Sequence, residues 1–138
     1  MTKKALSEEI YLDQRIIQLK DLASKKDVDI EIVENSNGTA IKFPNGIMIC
    51  VGIDSGTSNL YDFLGQFKRT EENLSITFPA PFKENPISIQ MVGGYSQYIV
   101  SAIPYMITET GFTYVCLKPN NVTKTDYYVR YEAIGKWK

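Results

Sequence analysis

The chain has 138 residues, 43% hydrophobic and 22% charged, a composition that fits one globular domain with or without a short appendage. Fifteen basic and sixteen acidic residues leave a net charge of −1, the wrong balance for a general nucleic-acid binder, which needs a clustered positive surface. The absence of histidine removes Ser-His-Asp and Cys-His catalysis, the usual zinc sites and the commonest general base.

Residues 7–24 predict a helix. Ser7 suits an N-cap, and Glu8 and Glu9 suit the positive end of the helix dipole. Leu12, Ile16, Leu19 and Ala23 recur at spacings of four, three and four, a heptad-like stripe. A lone helix of this length is marginal in water. The stripe must therefore pack on its own domain or on copies of itself, and the second option makes residues 1–26 an oligomer neck. No segment reaches the run of about 20 apolar residues that a membrane span needs. The opening Met1-Thr2-Lys3-Lys4-Ala5 lacks the apolar run of a signal peptide, so synthesis in a cytoplasm without membrane insertion is expected.

Residues 27–138 read as a β-rich head domain. Val28, Ile30 and Ile32 alternate with Asp27, Asp29 and Glu31, the period-two pattern of a half-buried strand. Asn35-Ser36-Asn37-Gly38 and Pro44-Asn45-Gly46 are turn signals on either side of a strand at 39–43. Ile47 to Val51 is a continuous apolar strand expected to be covered on both faces. Residues 54–59 read as a loop, and Leu60, Tyr61, Phe63, Leu64 and Phe67 as a small apolar patch before a charged stretch. Further strands are predicted at 74–78, at 87–91, on both sides of Pro104, at 112–117 and at 127–134, with Gly135 as a candidate bulge. About eight or nine short strands at this spacing predict an antiparallel sandwich or barrel-like head. Nine tyrosines and six phenylalanines suit sheet packing first and recognition second. Cys50 and Cys116 sit in apolar runs that match no metal motif. They read as buried thiols, with a disulfide between them left open.

Two loops carry the mixture that saccharide recognition needs, a ring for the apolar sugar face beside amides and charges for hydroxyls. The first offers Tyr95, Gln97 and Tyr98 beside flexible glycines, and the second offers Asn120, Asn121, Lys124 and Asp126. Polar loops are common whether or not they bind. Glu84, Glu109, Asp126 and Glu132 show no spacing that would pair two carboxylates about 5–9.5 Å apart for glycoside cleavage. No catalytic residue, metal ligand or cofactor is predicted. Val51 to Asn59, with Asp54, Gly56, Thr57 and Ser58, resembles the first phosphate loop of the actin, Hsp70 and sugar-kinase superfamily. Only 79 residues follow Asn59, too few for the two lobes those enzymes need, so a nucleotide-binding fragment is a distant alternative.

Four motifs in order, Phe43-Pro44-Asn45-Gly46-Ile47-Met48-Ile49, Ile76-Thr77-Phe78-Pro79-Ala80-Pro81-Phe82, Thr110-Gly111-Phe112-Thr113 and Ala133-Ile134-Gly135-Lys136-Trp137-Lys138, make residues 40–138 similar to the C-terminal head domains of phage and prophage tail-fibre or baseplate receptor-binding proteins. The resemblance implies a homotrimeric β-structure in the virion tail. It implies non-catalytic binding of host cell-surface polysaccharide, and attachment to other tail or baseplate proteins through the N-terminal region. A structural baseplate or fibre component without a ligand is the alternative. The matched motifs look structural, so the resemblance assigns no receptor residues.

Overall fold

The computed structural model describes residues 29–93 and 98–138. The expected helix and its stripe, Leu12, Ile16, Leu19 and Ala23, lie outside the described residues. Those residues form ten strands and no helix: β1 (Glu31–Asn35), β2 (Gly38–Lys42), β3 (Ile47–Thr57), β4 (Tyr61–Phe63), β5 (Phe67–Arg69), β6 (Leu74–Thr77), β7 (Ser88–Gly93), β8 (Ser101–Tyr105), β9 (Gly111–Pro119) and β10 (Asp126–Lys136). All pairings are antiparallel.

The first sheet has the order β1-β2-β3-β10-β7. It grows from the predicted meander. Gly38 adopts φ +130°, and a Cβ there would lie 2.2 Å from the Val51 carbonyl oxygen, so the turn between β1 and β2 accepts only glycine. β10 lies mid-sheet and pairs with β3 over eleven residues, from Asp126 opposite Thr57 to Lys136 opposite Ile47. The second sheet centres on β9. β5 and β6 share one of its edges and β8 takes the other. Between β5 and β6 the Thr70 hydroxyl accepts from the Cys116 amide at 2.9 Å while the Thr70 amide donates to the Cys116 carbonyl. A side chain there replaces a backbone acceptor and lets the edge strand break without orphaning β9.

The core lies between the sheets. Met48 and Cys50 of β3, Tyr127, Val129, Tyr131 and Ala133 of β10, and Phe112, Tyr114 and Cys116 of β9 alternate inward and are buried. After β6 the chain crosses from one sheet to the other in an extended segment, and Phe78, Ala80 and Phe82 point into the core while the prolines between them do not need a ladder partner. Phe78 and Phe82 pack edge to face at 5.0 Å, and Phe112 meets Tyr131 at 5.6 Å. Both cysteines are buried and free.

Five local expectations change. β3 runs on to Thr57, so Asp54–Thr57 is strand rather than loop. Ile47 to Val51 is covered on one side only: Met48 and Cys50 are buried, and the intervening residues are half-buried. The patch at 60–67 is the β4–β5 hairpin, and Pro104 lies within β8, tolerable because β8 is an edge strand. Gly135 is no bulge, since it stays in register opposite Met48. A Cβ there would meet Phe82 and Pro86 at 2.9 Å, so glycine lets the crossing segment lie against β10.

Candidate binding surfaces

The strand directions give the domain two unlike ends. At one end Glu31 pairs with Lys42. There the Trp137 amide donates to the Gly46 carbonyl, and the Trp137 indole donates to the Phe43 carbonyl at 2.9 Å. The described residues therefore begin at the end where Lys138 also lies. At the other end β7 finishes with Gly93 opposite Val129, β10 begins with Asp126 opposite Thr57, β8 begins beside Leu117, and the β4–β5 hairpin reaches Pro119. Gly93 and Tyr98 on either side of residues 94–97, the β9–β10 and β3–β4 connections and the β4–β5 tip all lie there.

Of the two loops singled out in the sequence, the second and the described residue of the first, Tyr98, thus come to the same end. Tyr98 is 60% exposed with φ +54°, a left-handed conformation unusual for tyrosine. Asn120, Asn121 and Lys124 are exposed, and Asp126 is half-buried. Tyr95 and Gln97 lie outside the described residues. Exposed Leu64, at the hairpin tip, adds an apolar side chain to this end.

A buried cation holds the 120–126 loop. The Lys118 side chain comes off β9 into the interior and is fully buried. Its ammonium donates to the Lys124 carbonyl at 2.7 Å and to the Asp126 carbonyl at 2.5 Å. Burial pulls its pKa down, opposed by the charge of Asp126. The Ser58 amide donates to the Thr125 carbonyl, and the Val122 amide to the Pro119 carbonyl. The loop is thus fixed through its backbone while its amide and amine side chains remain free. Sequence reading assigned Lys118 no role, because a lysine at an inward strand position looks like an interruption of the pattern.

Two concave sites were not anticipated. An open groove of about 440 Å³ is lined by Tyr61, Arg69, Glu71, Glu72 and Asn73. The Arg69 guanidinium lies over the Tyr61 ring at 5.5 Å and pairs with Glu72 at 3.2 Å, while Asn59 donates to Glu71 and the Tyr105 hydroxyl to the Glu72 carbonyl. A larger cleft of about 680 Å³ lies on the outer face of the first sheet, between the β1–β2 turn and the floor made by Val51, Ile53, Arg130 and Glu132. The signal for the first was an aromatic residue, Tyr61, seven positions before the charged stretch that opens at Lys68. The second is legible only from cross-strand register.

The phosphate-loop resemblance at Val51–Asn59 finds no loop. Asp54 to Thr57 is paired residue by residue with β10, so no turn wraps a phosphate. The Asp54 carboxylate instead accepts from the buried Tyr114 hydroxyl at 2.6 Å and from the Ser55 amide at 3.0 Å. Burial, and then Asp54, push the Tyr114 pKa up. Among the described residues no cluster of three or more acidic or cysteine side chains is placed to hold a metal ion, and no helix is long and apolar enough to cross a membrane.

The architecture is that of a tail-fibre-like all-β fold. The chain is similar to a C-terminal piece of the P. aeruginosa R1 pyocin fibre, with a TM-score of 0.56 and 13% identity over 78% of this chain and 28% of that one. It is also similar to an N-truncated R1-type pyocin tail fibre, with a TM-score of 0.58 and 14% identity over 78% of this chain and 86% of that one. The chain therefore spans little more than a quarter of the first fragment. No family model and no curated protein sequence matches it.

Proposed function

We propose that this chain is the receptor-binding head of a phage or prophage tail fibre or baseplate. It works as a homotrimer that binds host cell-surface saccharide without catalysis and joins other tail proteins through its N-terminal region. One observation carries the reading: the topology gathers the loops bearing Tyr98, Asn120, Asn121 and Lys124 at the end opposite Asp29 and Lys138. A head held from one end presents the other to the cell. The tail-fibre-like fold supports the fibre part of this reading. The exposed Tyr98 ring suits the apolar face of a sugar, and the amides and Lys124 suit its hydroxyls. Binding is weak per site and is strengthened when linked sites engage together.

The test is retention of the protein on a panel of immobilised bacterial surface polysaccharides, compared with the Tyr98→Ala, Lys124→Ala double variant. The expected result is retention on at least one polysaccharide and a drop of about tenfold in the variant, the size of one lost aromatic or polar anchor. Retention that the double variant leaves intact would remove the site from this end. Failure to bind any member of the panel would favour a structural fibre component.

A further inference from the structure

The open groove of about 440 Å³ lined by Tyr61, Arg69, Glu71, Glu72 and Asn73 falls within the size range of small-molecule sites, about 300–1,000 Å³. Its wall is a ring. Register places Tyr61 opposite Arg69, so both side chains leave the same face of the β4–β5 hairpin. The Arg69 guanidinium sits over the ring, donates to the Thr70 carbonyl at 3.2 Å and pairs with Glu72. These contacts fix the guanidinium and steady the ring beneath it. Yet β4 is the edge strand of its sheet, and Tyr61 stays 46% exposed. A ring that is held but open offers contact area at low entropic cost.

The charge of the groove does not balance. Arg69 is matched by Glu72. Half-buried Glu71 has no ion-pair partner within 4.0 Å among the described residues. One of its oxygens accepts from the Asn59 side-chain amide at 3.2 Å, and a carboxylate has a second oxygen to offer. One guanidinium and two carboxylates leave the groove net negative. A ligand that carries carboxylate or phosphate meets like charge there, whereas an ammonium finds an unmatched anion. Exposed Asn73 adds an amide that can both donate and accept.

The groove is also joined to the 120–126 loop. Buried Ser58 makes the link. Its hydroxyl accepts from the Glu71 amide at 2.9 Å, and its own amide donates to the Thr125 carbonyl at 2.9 Å. One residue therefore fixes the backbone of both, and the two are neighbours on one surface.

We propose that the Tyr61 groove is a saccharide subsite for an amine-bearing sugar. The Tyr61 ring packs on the apolar face of the sugar, Glu71 accepts from its ammonium, and Asn73 meets its hydroxyls. The subsite rests on the saccharide-binding reading above, extends it beyond Tyr98 and Lys124, and gives the ligand a chemical class.

The test is calorimetric titration of the full chain with soluble oligomers of glucosamine, glucose and glucuronic acid of equal length, in slightly acidic buffer where the sugar amines are charged. The same titrations follow on Tyr61→Ala, on Glu71→Gln and on the Tyr98→Ala, Lys124→Ala double variant. Glu71→Gln keeps an oxygen for the Asn59 amide and removes only the charge, so it reads the groove even if Tyr61→Ala loosens the hairpin. The expected result is tightest binding of the glucosamine oligomer and weakest of the glucuronic acid oligomer. Tyr61→Ala should weaken binding about tenfold, the size of a lost aromatic anchor, and Glu71→Gln should bring the glucosamine and glucose oligomers level. Tightest binding of the glucuronic acid oligomer, or a glucosamine preference that Glu71→Gln leaves unaltered, overturns the proposal. Binding that only the double variant weakens overturns the groove and keeps the loop-end site. Binding that only the groove variants weaken keeps the groove and removes the site from the loops. If no oligomer binds, the subsite falls, and the polysaccharide panel decides the loop-end site by itself.

Discussion

The two ends of the sandwich are held by different physics. At the terminal end Phe78 and Phe82 pack the crossing segment into the core, and Gly135 lets that segment approach the β10 backbone. At the loop end one buried ammonium on two main-chain carbonyls does the equivalent work. Apolar packing is dense, non-directional and lost only by opening a cavity. A cation on carbonyls fixes the backbone of a loop and places no demand on its outward side chains. In a domain built this way the outward side chains of the loop end can be replaced without touching the packing of the other end.

That contrast predicts the largest mutational effect at the terminal end. Phe82→Ala removes a ring that is almost wholly buried and is expected to cost about 3–5 kcal/mol of stability. Chemical denaturation would read it as a lower midpoint with an unchanged slope. Polysaccharide retention by the fraction that remains folded should not change, because the substitution lies at the opposite end from the loops.

The loop end predicts the reverse. Lys118→Met keeps most of the volume and removes the charge-assisted donors. It leaves the carbonyls of Lys124 and Asp126 short of a partner, worth about 1–3 kcal/mol for a buried unsatisfied group. Removing an uncompensated buried charge offsets part of that loss. The expected outcome is a small net change in denaturation midpoint with faster amide exchange at Val122 and Thr125. A global loss as large as that of Phe82→Ala would mean that Lys118 supports the core and not the loop.

Period and turn chemistry made most of the fold legible. The turn at Asn35–Gly38, the Pro79 and Pro81 stops and the apolar run at 112–117 announced their elements, whereas the period-two run ending at Ile32 set the first strand too early and on the wrong face: β1 is Glu31–Asn35, and Val33 packs on the core while Ile32 is exposed. The misses share a cause: partners distant in sequence decided them. Asp54–Thr57 reads as a loop because Asp, Ser and Gly disfavour strands, but β10 supplies a ladder along its whole length and tertiary pairing overrides propensity. Gly135 reads as a bulge until Phe82 and Pro86 are seen against it. The candidate loops were legible as polar turns with rings. Their convergence on one end followed only from topology, and the role of Lys118 only from the contacts of its ammonium. The continuous apolar run at Ile47–Val51 was visible at once, but which of its faces the core takes followed only from the fold.

The smallest expected effect sharpens the comparison through pH. Burial raises the Cys50 thiol from 9.0 to about 11 and the Cys116 thiol to about 12, and it raises Tyr114, Tyr127 and Tyr131 in the same sense. Groups raised in the fold contribute stability that is whole below their unfolded values, from pH 9 for the thiols. That stability is lost as pH climbs through their folded values, because the unfolded chain gives up protons first. Lys118 runs the other way. Its pKa is lowered, so between its folded value and 10.5 the unfolded chain holds the extra proton and stability rises with pH. Five groups against one give a net fall in Tm above pH 9. Calorimetry from pH 7 to 11 should show a flat region followed by that fall, steeper in Lys118→Met, which loses the opposing contribution, and shallower in Cys50→Ala, which loses one of the falling ones. A slope that Lys118→Met leaves unaltered would mean that the loop-end ammonium titrates alike in the folded and unfolded chain, and the polar account of that end would fall with it.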